Sequence, residues 1–265
     1  MYETNYHRAS SVEDAVRLKS SAEEGKYLAG GMTLIATMKQ RLAAPGDLVD
    51  IRHIAGLKFI SVTGRSVRIG AATTHYDVAS SPELKAICPA ICDLAHHIGD
   101  PHVRHMGTIG GSVANNDPAA DYPAALLALD AVIVTNQREI GAADFFTGLF
   151  ETALEEGEMI VAIAFEAPER AAYAKFRNPA SRYAMTGVFV ARRDSGDVRV
   201  AVTGAGADGV FRHAGMEAAL AQNWSPDALS GATTDPADLL SDLHASSEYR
   251  AQLVKVMAKR AVAAA

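Results

Sequence analysis

Apolar residues recur at helical spacing through Val12, Ala15, Leu18 and Ala22, behind a Ser10-Ser11 pair followed by Glu13 and Asp14. That capping pattern predicts a helix of roughly three turns ending at Gly25. Tyr27-Leu28-Ala29 reads as a short strand that stops at Gly30-Gly31. Thr33 to Leu42, with Leu34, Ile35 and Met38 on one side, reads as a helix stopped by Pro45-Gly46, and Leu48-Val49-Asp50-Ile51 as a further strand. The unit is strand, glycine turn, helix, strand. Its turn lies at a helix amino end, where unpaired N–H groups and the helix dipole favour an anion.

Alternation resumes in Phe59-Ile60-Ser61-Val62 and Val67-Arg68-Ile69-Gly70, a hairpin around Gly64. Thr74 to Asp77 leads into a helix, and Pro82 to His97 forms a second. From Ile98 to Pro123 helical periodicity fades, which predicts a long irregular segment of the kind that usually carries function. Ala124 to Leu129 returns to a helical pattern and Ala131 to Thr135 to a strand. After a shift near Pro168, Val188 to Ala191 and Val198 to Val202 flank the turn Asp194-Ser195-Gly196-Asp197 and predict an antiparallel hairpin. The last helix carries Tyr249, Leu253, Val256 and Met257 on one face. A smaller α+β domain is expected from about Ala171 onward.

Composition removes several functional classes. With 49% apolar and 21% charged residues the chain is an ordinary globular one, and its formal charge of −6 offers no basic footprint for nucleic acid or an anionic membrane. No apolar run reaches membrane-spanning length and the amino end has no signal core, so a cytoplasmic chain is expected. Cys88 and Cys92 are the two cysteines, too few to ligate an iron–sulfur cluster and read as buried packing residues on one helical face. His96, His97, His102 and His105 complete no zinc or iron set. Nucleophile and acid–base signatures are missing as well.

The chemistry concentrates in two glycine segments, Ala29-Gly30-Gly31-Met32-Thr33 and Thr108-Ile109-Gly110-Gly111-Ser112. Neither is a P-loop or a dinucleotide-binding βαβ fingerprint. Adjacent glycines allow close backbone approach, and the hydroxyls add donors, so each segment reads as a nest of main-chain amides for a phosphate. A ligand with two linked phosphates is the simplest occupant of both. Asp117 or Asp121 offers a carboxylate to ribose hydroxyls.

These two segments, with Asp117-Pro118-Ala119-Ala120-Asp121, Asp144-Phe145-Phe146-Thr147-Gly148 and Lys175-Phe176-Arg177-Asn178-Pro179, resemble the FAD-binding medium subunit of molybdenum hydroxylases, the carbon monoxide and xanthine dehydrogenase family. The resemblance covers nearly the whole chain. It implies an α+β fold: a two-part FAD-binding domain of the vanillyl-alcohol-oxidase (PCMH) type over residues 1–170, with subdomains of about 1–55 and 56–170, then a small domain over 171–265 with a three-stranded antiparallel sheet and helices. It also implies an electron-transfer subunit. Electrons arrive from a small subunit with two [2Fe–2S] clusters, substrate is oxidised on a large subunit with the molybdenum cofactor, and the assembly is a dimer of heterotrimers. In this reading Ala29, Gly30, Gly31, Met32 and Thr33, and Thr108, Ile109, Gly110, Gly111 and Ser112, hold the diphosphate. Asp121 reaches the FAD sugar region, and Lys175 and Tyr183 stand beside the flavin ring. Met32 takes the place of a histidine common in relatives. A stand-alone flavin oxidoreductase and an assembly protein without FAD are the alternative readings.

Overall fold

The computed structural model describes residues 1–265. It begins with β1 (Asn5–Arg8), α1 (Val12–Ser20), β2 (Gly25–Leu28), α2 (Leu34–Lys39) and β3 (Asp47–Asp50). β3 lies between β1 and β2 and pairs in parallel with both, so the carboxyl ends of the three strands share one edge. The first glycine segment leaves β2 at that edge. α1 begins at Ser11, whose hydroxyl accepts from the Asp14 N–H, while the Asp14 carboxylate accepts from the Ser10 N–H and hydroxyl.

Asp50, at the end of β3, is fully buried and accepts hydrogen bonds from Arg52 and, at 2.6 Å, from the Tyr6 hydroxyl. Burial pushes its carboxyl up, but the hydrogen bonds and charge of Arg52, with the Tyr6 hydroxyl, outweigh it and hold the group down at about 2. An acid whose folded pKa lies below its unfolded one stabilises the fold above the unfolded value. That contribution is lost as pH falls through the folded value. Asp50→Asn is therefore expected to melt below the wild type at about pH 5, with the gap closing towards about pH 2. Thermal midpoints of both proteins across that range check it; a gap that stays constant contradicts it.

The next part comprises β4 (Ile60–Thr63), β5 (Ser66–Gly70), α3 (His75–Ser80), α4 (Pro82–Ile87), α5 (Pro89–His96), α6 (Pro101–Met106), α7 (Ile109–Asn115) and α8 (Tyr122–Ala128). It continues with β6 (Val132–Thr135), β7 (Glu139–Gly141), α9 (Ala142–Phe145), β8 (Phe146–Gly148), β9 (Glu151–Thr152) and β10 (Ile160–Glu166). The main sheet runs β4-β5-β10-β6-β7 with antiparallel neighbours, and β10 fills its centre. Two expectations change here. The helix from Pro82 to His97 is two helices, because Pro89 has no N–H with which to continue α4. The stretch from Ile98 to Pro123 is not irregular: Asp100 and Thr108 cap α6 and α7. These helices are too short, and α7 too rich in glycine, for periodicity to reveal them.

The chain ends with β11 (Arg170–Arg177), β12 (Ala184–Arg192), β13 (Val198–Thr203), β14 (Phe211–Arg212), α10 (Ala214–Gln222) and α11 (Ser247–Ala264). The antiparallel sheet has four strands in the order β11-β12-β13-β14, one more than expected, because β14 adds two residues at its edge. Both faces are covered. Ala172, Val188, Val190, Val200 and Val202 pack with Met216, Leu220, Val254 and Met257 of α10 and α11. The alternate residues Tyr173, Phe189, Ala191 and Ala201 join the core of α5 and α8. The sheet thus brings β11 against the start of α8.

The buried stripe of α11 is Arg250, Leu253, Val254, Met257, Ala258, Ala261 and Val262, rotated from the expected face, and Tyr249 is 47% exposed. Arg250 explains the rotation. Its guanidinium donates to the carbonyls of Met185 and Gly204 and to Asp242, so a charged residue occupies an inward position. Cys88 and Cys92 are both buried but do not share a helix: Cys88 is the junction before α5. Burial pushes their thiols up to about 12 and about 11, values that suit packing rather than thiolate chemistry.

Candidate cofactor-binding site

The first glycine segment bends between β2 and α2 with Gly31 at φ +69°, where a Cβ would also press on Ile35 at 2.9 Å. The N–H groups of Gly30, Gly31, Met32, Thr33 and Leu34 have no acceptor in the protein. Thr33 precedes α2 without a side-chain capping bond, so its hydroxyl is free too. Gly30 is required by contact: a Cβ there would lie 2.1 Å from the Met106 carbonyl oxygen and 2.7 Å from Gly107 Cα. The first segment is therefore packed directly on the approach to the second.

The second segment departs from expectation. It is the first turn of α7, not an open nest, and most of its amides are spent inside the protein. Ile109 N–H donates to Thr73 O, Gly110 N–H to Ala71 O, Gly111 N–H to the Thr108 hydroxyl and Ser112 N–H to Thr108 O. The Thr108 N–H has no protein acceptor, and neither does the Ser112 hydroxyl. Gly110 serves packing, since a Cβ would lie 2.6 Å from that of Ala71. Gly111 faces the other segment, with Ala29 Cβ 3.7 Å from where its own Cβ would stand.

Between the segments lies a cavity of about 510 Å³, lined by Ala29 to Leu34 on one side and by Thr108, Gly110, Gly111 and Ser112 on the other. Such a volume suits a cofactor-sized ligand. Ile109 is not at its wall: the side chain is fully buried in the core, as expected of an apolar residue on the inner face of a capped helix. Lys175 is not there either. Its side chain is 1% exposed, and its ammonium donates to Asp121 at 2.9 Å and to the His97 carbonyl at 3.3 Å. Asp121 does line the cavity, yet each carboxylate oxygen already accepts one hydrogen bond, from Tyr173 and from Lys175. Burial raises the Asp121 pKa against the pull of Lys175 and Tyr173. Asp117 and the half-exposed Tyr183 also reach the wall.

Other lining residues carried no local signal in the sequence. Leu154, Glu158 and Met159 come from the loop before β10, some 130 residues after the first glycine segment, and His75 from the start of α3. Glu158 is an internal anchor rather than a free acid, accepting from Thr135, Arg138 and the Glu155 N–H.

Residues 2–167 match the family model described as the FAD binding domain in molybdopterin dehydrogenase, and residues 171–265 match the CO dehydrogenase flavoprotein C-terminal domain. The chain belongs to this flavoprotein family. It is 35% identical to the carbon monoxide dehydrogenase medium chain of Hydrogenophaga pseudoflava, covering 98% of this chain and 96% of the relative. It is 34% identical to the nicotine 6-hydroxylase medium subunit of Paenarthrobacter nicotinovorans, over 97% and 95%. The glyceraldehyde dehydrogenase medium chain of Sulfolobus acidocaldarius is 32% identical over 98% and 97%. Among solved structures, the carbon monoxide dehydrogenase of H. pseudoflava lacking the Mo-pyranopterin moiety superposes with a TM-score of 0.89 at 34% identity, covering 100% of this chain and 97% of that one. The cavity wall joins the two glycine segments to apolar side chains such as Ile51, Ile98 and Ile160, and Lys26 is the one lysine or arginine that lines it.

Proposed function

We propose that this chain is the FAD-carrying electron-transfer subunit of a molybdenum hydroxylase complex. One observation carries the reading: the five consecutive residues Gly30 to Leu34 line one cavity and none of their N–H groups has a protein acceptor, which leaves a row of donors at a helix amino end for a ligand rich in acceptor oxygens. The residues fit FAD. A diphosphate satisfies the amides of Gly30 to Leu34, the Thr108 N–H and the hydroxyls of Thr33 and Ser112, and α2 and α7 both turn their amino ends towards it. Ala29 and Gly111 supply the close, side-chain-poor walls. Asp121 offers the remaining lone pairs of its anchored carboxylate to a cofactor hydroxyl, and Lys175 positions that carboxylate rather than touching the cofactor. Tyr183 stands at the mouth for the flavin end.

When bound, FAD supplies the redox chemistry, and the protein contributes binding, orientation and exclusion of water. The chain's own side chains form no catalytic set. Electrons are taken to come from a small subunit with two [2Fe–2S] clusters, with substrate oxidation on a large molybdenum subunit, in a dimer of heterotrimers in the cytoplasm. Residues 1–170 and 171–265 are taken as the FAD-binding and carboxyl-terminal domains. The family match and the named medium chains support this division of labour.

The purified protein is expected to be yellow, with the two-banded absorption of an oxidised flavin and one FAD released per chain on denaturation. Colourless protein that takes up no added FAD would overturn the proposal. Co-purification of the native complex, with iron and molybdenum analysis, tests the partners separately.

A further inference from the structure

His75 opens α3 directly after the Thr74 cap, is 4% exposed, and lines the cavity. Its backbone N–H donates to the Gly107 carbonyl at 3.0 Å, and a Cβ at Gly107 would lie 2.7 Å from its Nε2. Gly107 in turn presses on Gly30. The imidazole thus stands behind the first glycine segment, with Gly107 between them.

Its two nitrogens are placed differently. Nδ1 is sealed from solvent and has no hydrogen-bond partner; Nε2 has no protein partner either but is not sealed, and so is the nitrogen that meets the cavity. A neutral imidazole carries one N–H. An orphaned buried N–H is tolerated less well than an orphaned lone pair, so the proton belongs on Nε2, facing the cavity. Burial, reinforced by the charge of Arg104, holds the ring down at about 4, so it is neutral in neutral solution.

The geometry points to His75 as an uncharged donor that completes the phosphate cradle, its Nε2–H hydrogen-bonding an oxygen of the FAD diphosphate beside Gly107. This rests on the FAD reading above. It gives the site a side-chain N–H, which neither glycine segment contains, and one that adds directional binding without placing a cation in the wall.

The test compares FAD affinity and the phosphorus NMR resonances of bound FAD, at saturating cofactor, in His75→Leu, His75→Gln and His75→Asn. Glutamine sets an amide N–H near the Nε2 position, whereas asparagine sets one near Nδ1. His75→Leu is expected to weaken FAD binding about 10- to 100-fold, the range for a hydrogen bond to a charged group. It should also shift the diphosphate resonances while leaving the visible flavin spectrum unchanged. Glutamine should restore most of the affinity and the resonance positions, and asparagine should not. Wild-type affinity in His75→Leu overturns the assignment. So does weakened binding with unmoved phosphorus resonances, or a glutamine variant as weak as leucine, since either makes the residue a packing element. Wild-type protein that takes up no FAD would instead defeat the cofactor reading itself, whereas yellow wild-type protein with an indifferent His75→Leu defeats this inference alone.

Discussion

Gly30→Ala is expected to abolish stable FAD retention and to lower the stability of the folded chain by about 3 kcal/mol or more. The added Cβ would lie 2.1 Å from the Met106 carbonyl oxygen and 2.7 Å from both the Met106 carbonyl carbon and Gly107 Cα. All three are main-chain atoms, so no rotamer change relieves the overlap. The two glycine segments must move apart, and with them the unpaired amides of Gly30 to Leu34 shift from their place in the cavity wall. Losing even two charge-assisted hydrogen bonds to a diphosphate costs roughly 100-fold in affinity. Gly231→Ala is the control, because a Cβ there meets nothing within 4 Å. Flavin content after gel filtration, with chemical denaturation of both variants, reads the outcome. A Gly30→Ala protein with full flavin content would show that the contact between the segments does not form the site.

Lys175→Met is expected to destabilise the fold by about 3–5 kcal/mol, the usual cost of stripping one partner from a buried ion pair. Asp121 is 5% exposed, and without the ammonium it keeps only the Tyr173 hydroxyl. The effect has a definite pH signature. Burial already raises this carboxyl, and removal of Lys175 raises it further, above the unfolded value of about 3.9. An acid whose folded pKa is raised loses stability as pH rises from its unfolded value to its folded one. The gap to wild type should therefore be wider at about pH 8 than at about pH 5.5, and Asp121→Asn in the same chain should recover part of the loss. Denaturant midpoints at both pH values measure it. A gap independent of pH would mean that the ion pair is not what the substitution breaks.

Much of the architecture was legible from local pattern. The strand, glycine turn, helix, strand unit, the hairpin around Gly64 and the hairpin around Ser195-Gly196 all follow from alternation bounded by turn residues, and all three are present. Elements that lack their own periodicity were not legible. α6 and α7 are single short helices whose apolar stripe is too brief to register, and α7 is stabilised by what it packs on: Gly110 lies against Ala71, and Ile109 N–H is paired with Thr73 O. In α11 a buried arginine, paired with Asp242 and hydrogen-bonded to carbonyls more than 40 residues away in sequence, disguises the inward face.

The glycine pairs by themselves determined where the backbone must come close to something, because only a residue without a Cβ leaves that space, and that is a local property of the chain. Tertiary structure alone decided what the approach is for. Gly110 is a seam between α7 and the strand end at Ala71, Gly30 a seam against Met106 and Gly107, and the unpaired amides are concentrated in the first segment, since those of the second are consumed by the cap and by neighbouring strands. It also decided that Lys175 supports Asp121 and that His75 reaches the cavity. Hydrogen-bond satisfaction and burial depend on which distant segments meet, and no pattern of neighbours along the chain encodes them.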